Sequence, residues 1–137
     1  MRFLTSLLFL ALLGSCDDRG WPKLIPGPQV LAGAKPEVKT IARGTTWVWI
    51  TESYPSKPQG MSRCQAGKEV YLRLLEKAGN KFQEKAHRKI GSCLEDIELA
   101  ENGLRWNGEV KRLTVQILGG ATTAWRYNES KKAFELE

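Results

Sequence analysis

From residue 45 to the end of the chain, apolar and polar positions alternate more often than they recur at helical spacing. Leu113, Val115 and Ile117 alternate with Thr114 and Gln116, which predicts a half-buried strand. Trp125 and Tyr127 stand two apart, as do Phe134 and Leu136. The run Thr45-Thr46-Trp47-Val48-Trp49-Ile50-Thr51 is dense in β-branched and aromatic residues and apolar on both faces, so it reads as a central strand. Residues 69–78 fit two templates. They can form a helix stopped at Gly79, or a strand that turns at Ala78-Gly79-Asn80 and returns from Lys81 to Ile90. With strands on either side, the hairpin is favoured.

Asn102-Gly103, Asn107-Gly108 and Gly119-Gly120 are dipeptides suited to tight turns with positive φ. Residues 37–137 contain no second linker and no repeat, and about 100 residues can bury one modest core. The expected fold is a mostly β domain, a small antiparallel sandwich or barrel. Ahead of it, residues 16–36 are rich in proline and glycine and leave little chance of a helix or central strand. They read as a flexible tether, about 25 Å long as a coil and up to about 60 Å fully extended. Trp21, Leu24 and Ile25 are its apolar residues with two destinations open, the lipid interface or the domain.

The first fifteen residues have another character. Arg2 precedes a continuous apolar stretch from Leu7 to Leu13, and small residues follow, the layout of a secretory signal peptide. The stretch is too short to cross a hydrocarbon core, which takes about 20 residues. Its exit, Leu13-Gly14-Ser15-Cys16, resembles the lipobox of bacterial lipoproteins. The resemblance covers about sixteen residues and concerns the leader alone. It implies a diacylglyceryl group on the Cys16 thiol, cleavage just before that residue and acylation, as with palmitate, of the new amino group. Asp17 and Asp18 resemble the signal that retains enteric lipoproteins in the inner membrane. The expected location is therefore the cell envelope, facing the periplasm and held at the inner membrane.

With Cys16 lipidated, Cys64 and Cys93 remain as an even pair in an exported chain, where a disulfide is the default. One histidine, His87, and no paired CxxC leave no metal site to expect. Without residues 1–15 only Arg2 of the 21 basic residues is lost, so 20 stand against 15 acids. They are unevenly spread: residues 63–90 hold eight basic residues against three glutamates, and residues 93–109 hold five acids against Arg105. Export argues against nucleic acid as the ligand of the basic segment. A cell-wall polymer or an anionic membrane surface fits it, and so does a plain solvated strand face.

No HExxH, phosphate loop, dinucleotide fingerprint or nucleophile elbow is present, so neither a cofactor nor an enzymatic activity is expected. Candidate partner-binding residues are the acids Glu95, Asp96 and Glu98, the basic Lys85, Arg88 and Lys89, and Trp106 and Trp125, the tryptophans best placed for exposure. Small lipoproteins that inhibit lysozyme, and immunity lipoproteins against wall-attacking toxins, are similar in format only, and no residue role carries over from them. The sequence therefore points to a non-enzymatic, membrane-anchored envelope protein that binds a macromolecular partner, with a wall- or glycan-binding module as the alternative.

Overall fold

In the computed structural model, residues 19–58, 64 and 66–137 are described, and within them the regular elements are all strands. β1 (Glu37–Arg43), β2 (Trp47–Pro55), β3 (Lys68–Ala78) and β4 (Lys81–Ser92) form one four-stranded antiparallel sheet in sequence order. β5 (Leu99–Asn107), β6 (Arg112–Ile117), β7 (Thr122–Asn128) and β8 (Ala133–Leu136) form a second, built the same way. Residues 1–15, read from the sequence as a signal peptide, and Cys16, Asp17 and Asp18 lie outside the described residues.

The two sheets pack face to face as a sandwich. Trp47 and Trp49 of β2, Leu72 and Leu74 of β3 and Ile90 of β4 meet Leu113 and Val115 of β6 in one buried cluster. Successive strand residues point to opposite faces, so Val48, Ile50 and Leu75 are turned away from that core. They are buried nonetheless, because Trp21 packs on them. Leu24 and Val30 likewise cover Tyr54 and Tyr71.

For residues 19–36 this differs from the flexible tether expected over residues 16–36. From residue 19 onward the segment is an ordered strap along the outer face of the first sheet. The backbone of Val30 bridges to Ser56, and the Leu31 N–H donates to the Pro55 carbonyl at 2.9 Å. Proline and glycine do exclude a helix here. They do not exclude an extended strap, and each proline lowers the entropy lost when the chain is ordered. Of the three apolar residues with two destinations, Trp21 and Leu24 dock on the domain and Ile25 stays 91% exposed.

Residues 69–78 are strand, as the hairpin reading expected. Ala78 pairs with Lys81 around a two-residue loop in which Gly79 has φ +66°, the sign a type II′ turn requires at its first loop position. Gly119, at φ +68°, sits in the β6–β7 turn. Asn102-Gly103 is not a turn. It lies inside β5, where the pairing with β6 shifts between Leu99 and Leu104. Gly103 is required there by close approach, since a Cβ at that position would stand 2.5 Å from the Gln116 carbonyl oxygen.

Cys64 and Cys93 form the expected disulfide, 29 residues apart in sequence. Loop closure of that length is worth about 3.5 kcal/mol in the chain-entropy account. Urea unfolding of Cys64→Ser/Cys93→Ser should therefore lose about that much stability, and a loss under 1 kcal/mol would mean the strap and core already restrain the loop. Gly103→Ala should cost about 2–3 kcal/mol in the same assay, as overpacking against backbone does.

Candidate functional site

The most unusual chemistry lies under the strap. Arg73 projects from the middle of β3 and is 1% exposed. Its guanidinium donates to Glu52 Oε1 at 2.7 Å, to Glu84 Oε1 at 2.6 Å and to the Pro22 carbonyl at 2.6 Å. Tyr54 donates its hydroxyl to the second Glu52 oxygen at 2.9 Å. One cation thus links three strands and the strap. A buried ion pair is sustained only when its remaining hydrogen-bonding capacity is met, as it is here. Burial alone would draw the Arg73 pKa down, but the hydrogen bond to Glu84 and the attraction of Glu52 outweigh it and hold the group firmly charged. Burial beside the Glu52 carboxylate pushes the Tyr54 phenol well up, so it remains a donor.

A second buried carboxylate, Glu69, is wholly inaccessible and accepts from Ser56 Oγ at 2.8 Å. Among the described residues its other oxygen has no partner closer than the Lys89 ammonium at 3.4 Å. Lys89 also donates to Glu95 at 2.5 Å and to Gln29 on the strap at 3.3 Å. Burial lowers the Lys89 pKa, but the Glu95 hydrogen bond, with Tyr71 and Glu69, carries it above the usual lysine value.

The basic candidates do not form one patch. Lys89 is committed to Glu69 and Glu95. Arg88 points to the other face and donates to Thr123 Oγ1 of β7, tying the two sheets together. Lys85 is exposed at a bulge of β4, where the pairing with β3 shifts between Leu74 and Leu75. Arg73, which the sequence groups with a solvated basic segment, is the most deeply buried cation of that segment. His87 is a half-exposed strand residue, its ring 3.7 Å from Glu84.

The acidic candidates do converge. The turn after β4 closes through paired backbone hydrogen bonds between Ser92 and Ile97, with Cys93 inside it. Glu95, Asp96 and Glu98 are exposed on this disulfide-pinned turn. Asp96 sits at φ +51°, a left-handed conformation that aspartate tolerates. Asp96 and Glu98 border a cleft of about 560 Å³ with Val70, Ile90, Ile97 and Lys68.

Trp106 and Trp125 are half-buried at the edge of the inter-sheet core rather than exposed. Their rings lie 5.5 Å from Trp47 and 5.2 Å from Trp49. Trp106 still borders two open clefts, with Arg43 and Lys111 on one and Arg105 and Arg112 on the other. Among the described residues no group of three or more His, Cys, Asp or Glu is placed to hold a metal ion, and no helix is long and apolar enough to cross a membrane.

Sequence reasoning missed Glu52, Glu69 and Arg73. The available signal was charge placed inside otherwise apolar strands: Glu52 directly follows the central run, and Arg73 interrupts Val70-Tyr71-Leu72 and Leu74-Leu75. In register, Ile50 faces Arg73 and Glu52 faces Tyr71, so Glu52 and Arg73 are diagonal neighbours on one face.

No family model matches the chain, and neither a curated protein nor a solved structure is similar to it.

Arg73→Met should cost about 3–5 kcal/mol in urea unfolding, because it strands Glu52 in a dry site. Adding Glu52→Leu should recover part of that loss, and equal losses in the single and double variants would show that the pair is not coupled. The Lys89 contribution has a definite pH sign. Its raised pKa makes that stability complete at neutral pH and lost only as pH rises past the ordinary lysine value, which an alkaline unfolding series compared with Lys89→Met would read.

Proposed function

We propose that this chain is a lipid-anchored envelope protein that acts by binding, and that its partner is a protein presenting a basic segment to the acidic cleft. Inhibition of, or immunity to, a wall-active enzyme is the sharpest form of that reading. The observation that carries it is the turn bearing Glu95, Asp96 and Glu98, pinned by Cys64–Cys93 beside a cleft with an apolar floor. Cations that enter such a cleft leave water only in part, while their stems bury against Val70, Ile90 and Ile97. Pre-ordering by the disulfide and the Ser92–Ile97 backbone pair removes much of the ordering cost of binding. The anchor rests on the lipobox resemblance at Cys16.

The test is capture from a crosslinked envelope extract with the mature chain carrying Cys16→Ser. One protein in near-equal amount is the expected result. Asp96→Asn/Glu98→Gln, which removes two charges and keeps Glu95 and Lys89, should weaken that capture about ten-fold or more, as the loss of complementary charge does. Undiminished capture would place the interface elsewhere. In cells, Cys16→Ser should leave the precursor uncleaved and unlipidated by mass, and normal processing would remove the anchor from the reading.

A second reading has its own observation. Trp106 borders two clefts edged by polar and charged side chains of both signs, which suits stacking on a sugar ring of a wall glycan. Recovery of wall fragments that is lost in Trp106→Ala would favour it.

A further inference from the structure

The strap carries cations that neither the ion-pair network nor the acidic cleft uses. Residues 19–36 include no Asp or Glu. Arg19, Lys23 and Lys35 line one cavity of about 610 Å³, whose walls include Pro22, Leu24 and Pro26. Glu52 and Tyr54 reach the same cavity, but the two Glu52 oxygens are taken by Arg73 and Tyr54. Lys23 and Lys35 have no ion-pair partner among the described residues. Arg19 lies over the Trp21 ring, 4.0 Å from its centroid, which holds the cation at the surface.

Ile25 stands between Leu24 and Pro26 of that wall and is 91% exposed. A lone exposed isoleucine is ordinary on a protein surface. Here it projects beside Trp21 and Leu24, which are docked, with Lys23 two residues before it; Leu31, further along the strap, is 41% exposed. Basic side chains on the same strap as a projecting apolar one match the two layers of a bilayer interface, anionic headgroups above and acyl chains below. Position agrees with chemistry. Cys16 is five residues before Trp21, a length of chain that spans at most about 18 Å, so an anchored strap cannot stand far from the membrane.

We propose that the strap is a bilayer-contact surface, which holds the phosphate headgroup of an anionic phospholipid between Lys23 and Lys35 and sets Ile25 into the interfacial layer. The orientation rests on reading Cys16 as the anchor; the surface itself does not need the lipid.

The experiment therefore uses the mature chain with Cys16→Ser, which has no lipid, and vesicles of phosphatidylcholine with or without phosphatidylglycerol. Co-sedimentation at low salt is expected with the anionic vesicles only, and it should weaken as salt rises. Each lysine near such a surface is worth a factor of about five, so Lys23→Gln/Lys35→Gln should reduce the affinity about thirty-fold. Ile25→Ser should reduce it as well, without changing thermal stability, since Ile25 packs on nothing. Absence of binding to anionic vesicles, or equal binding by the lysine variant, would overturn the proposal. Complete competition by free glycerol phosphate at millimolar concentration would also overturn it, by making the cavity a site for a soluble anion. The mass of the cellular N-terminus reads lipidation separately, so a failed anchor and a failed surface are told apart.

Discussion

The first sheet is apolar on both of its faces, and everything else in the molecule answers to that. A strand such as β2, with Trp47 and Trp49 on one side and Val48 and Ile50 on the other, cannot be left half solvated. The second sheet covers one side. The strap covers the other, and it does so with few large side chains, chiefly Trp21, Leu24 and Val30. The domain is thus three layers deep over β2 and β3, although it has only two sheets.

Arg73 is where this arrangement departs from a purely apolar solution. A methionine or leucine would fill the site, yet a guanidinium stands there, gripping two carboxylates and one carbonyl. The grip gives direction that hydrophobic contact lacks. Trp21 and Leu24 can slide on an apolar surface, whereas the Pro22 carbonyl meets the Arg73 fork in one register. Lys89 acts in the same way further along, joining Glu69, Glu95 and Gln29. The abundance of positive charge between residues 63 and 90 is therefore partly internal, and the surface is less basic there than a count along the chain implies.

Where a feature depends on local pattern, the sequence could be read directly. The period-two run ending at Ile117 became β6, the doubly apolar run became β2, and Ala78-Gly79-Asn80 became a hairpin corner. The disulfide followed from the even pair of cysteines left once Cys16 is read as the lipid site, and from the export that reading implies. Features that depend on what a segment meets were out of reach. Proline and glycine between residues 20 and 36 describe a chain that cannot form a ladder of its own, and they are silent on whether a neighbour supplies a surface. Asn102-Gly103 has the composition of a turn, but the neighbouring Gln116 backbone makes it a bulge. Of the candidate site, Glu95, Asp96 and Glu98 were legible because they are adjacent in sequence. Lys85, Arg88 and Lys89 are adjacent too, yet alternation and a bulge send them to different faces.

Both sheets are simple meanders, so every ladder joins strands that follow one another along the chain. Loop closure for such ladders is short-range, and an all-β chain of this connectivity avoids the slow search that distant pairings impose. The exception is the strap, which comes first in the chain yet needs β2, β3 and β4 to exist before it has anything to lie on. Folding therefore runs against the direction of synthesis at this one place. The earliest residues of the domain are the last to find their seat, and until then the outer faces of Val48, Ile50 and Leu75 are the chain's exposed flank, open to chaperones or to self-association.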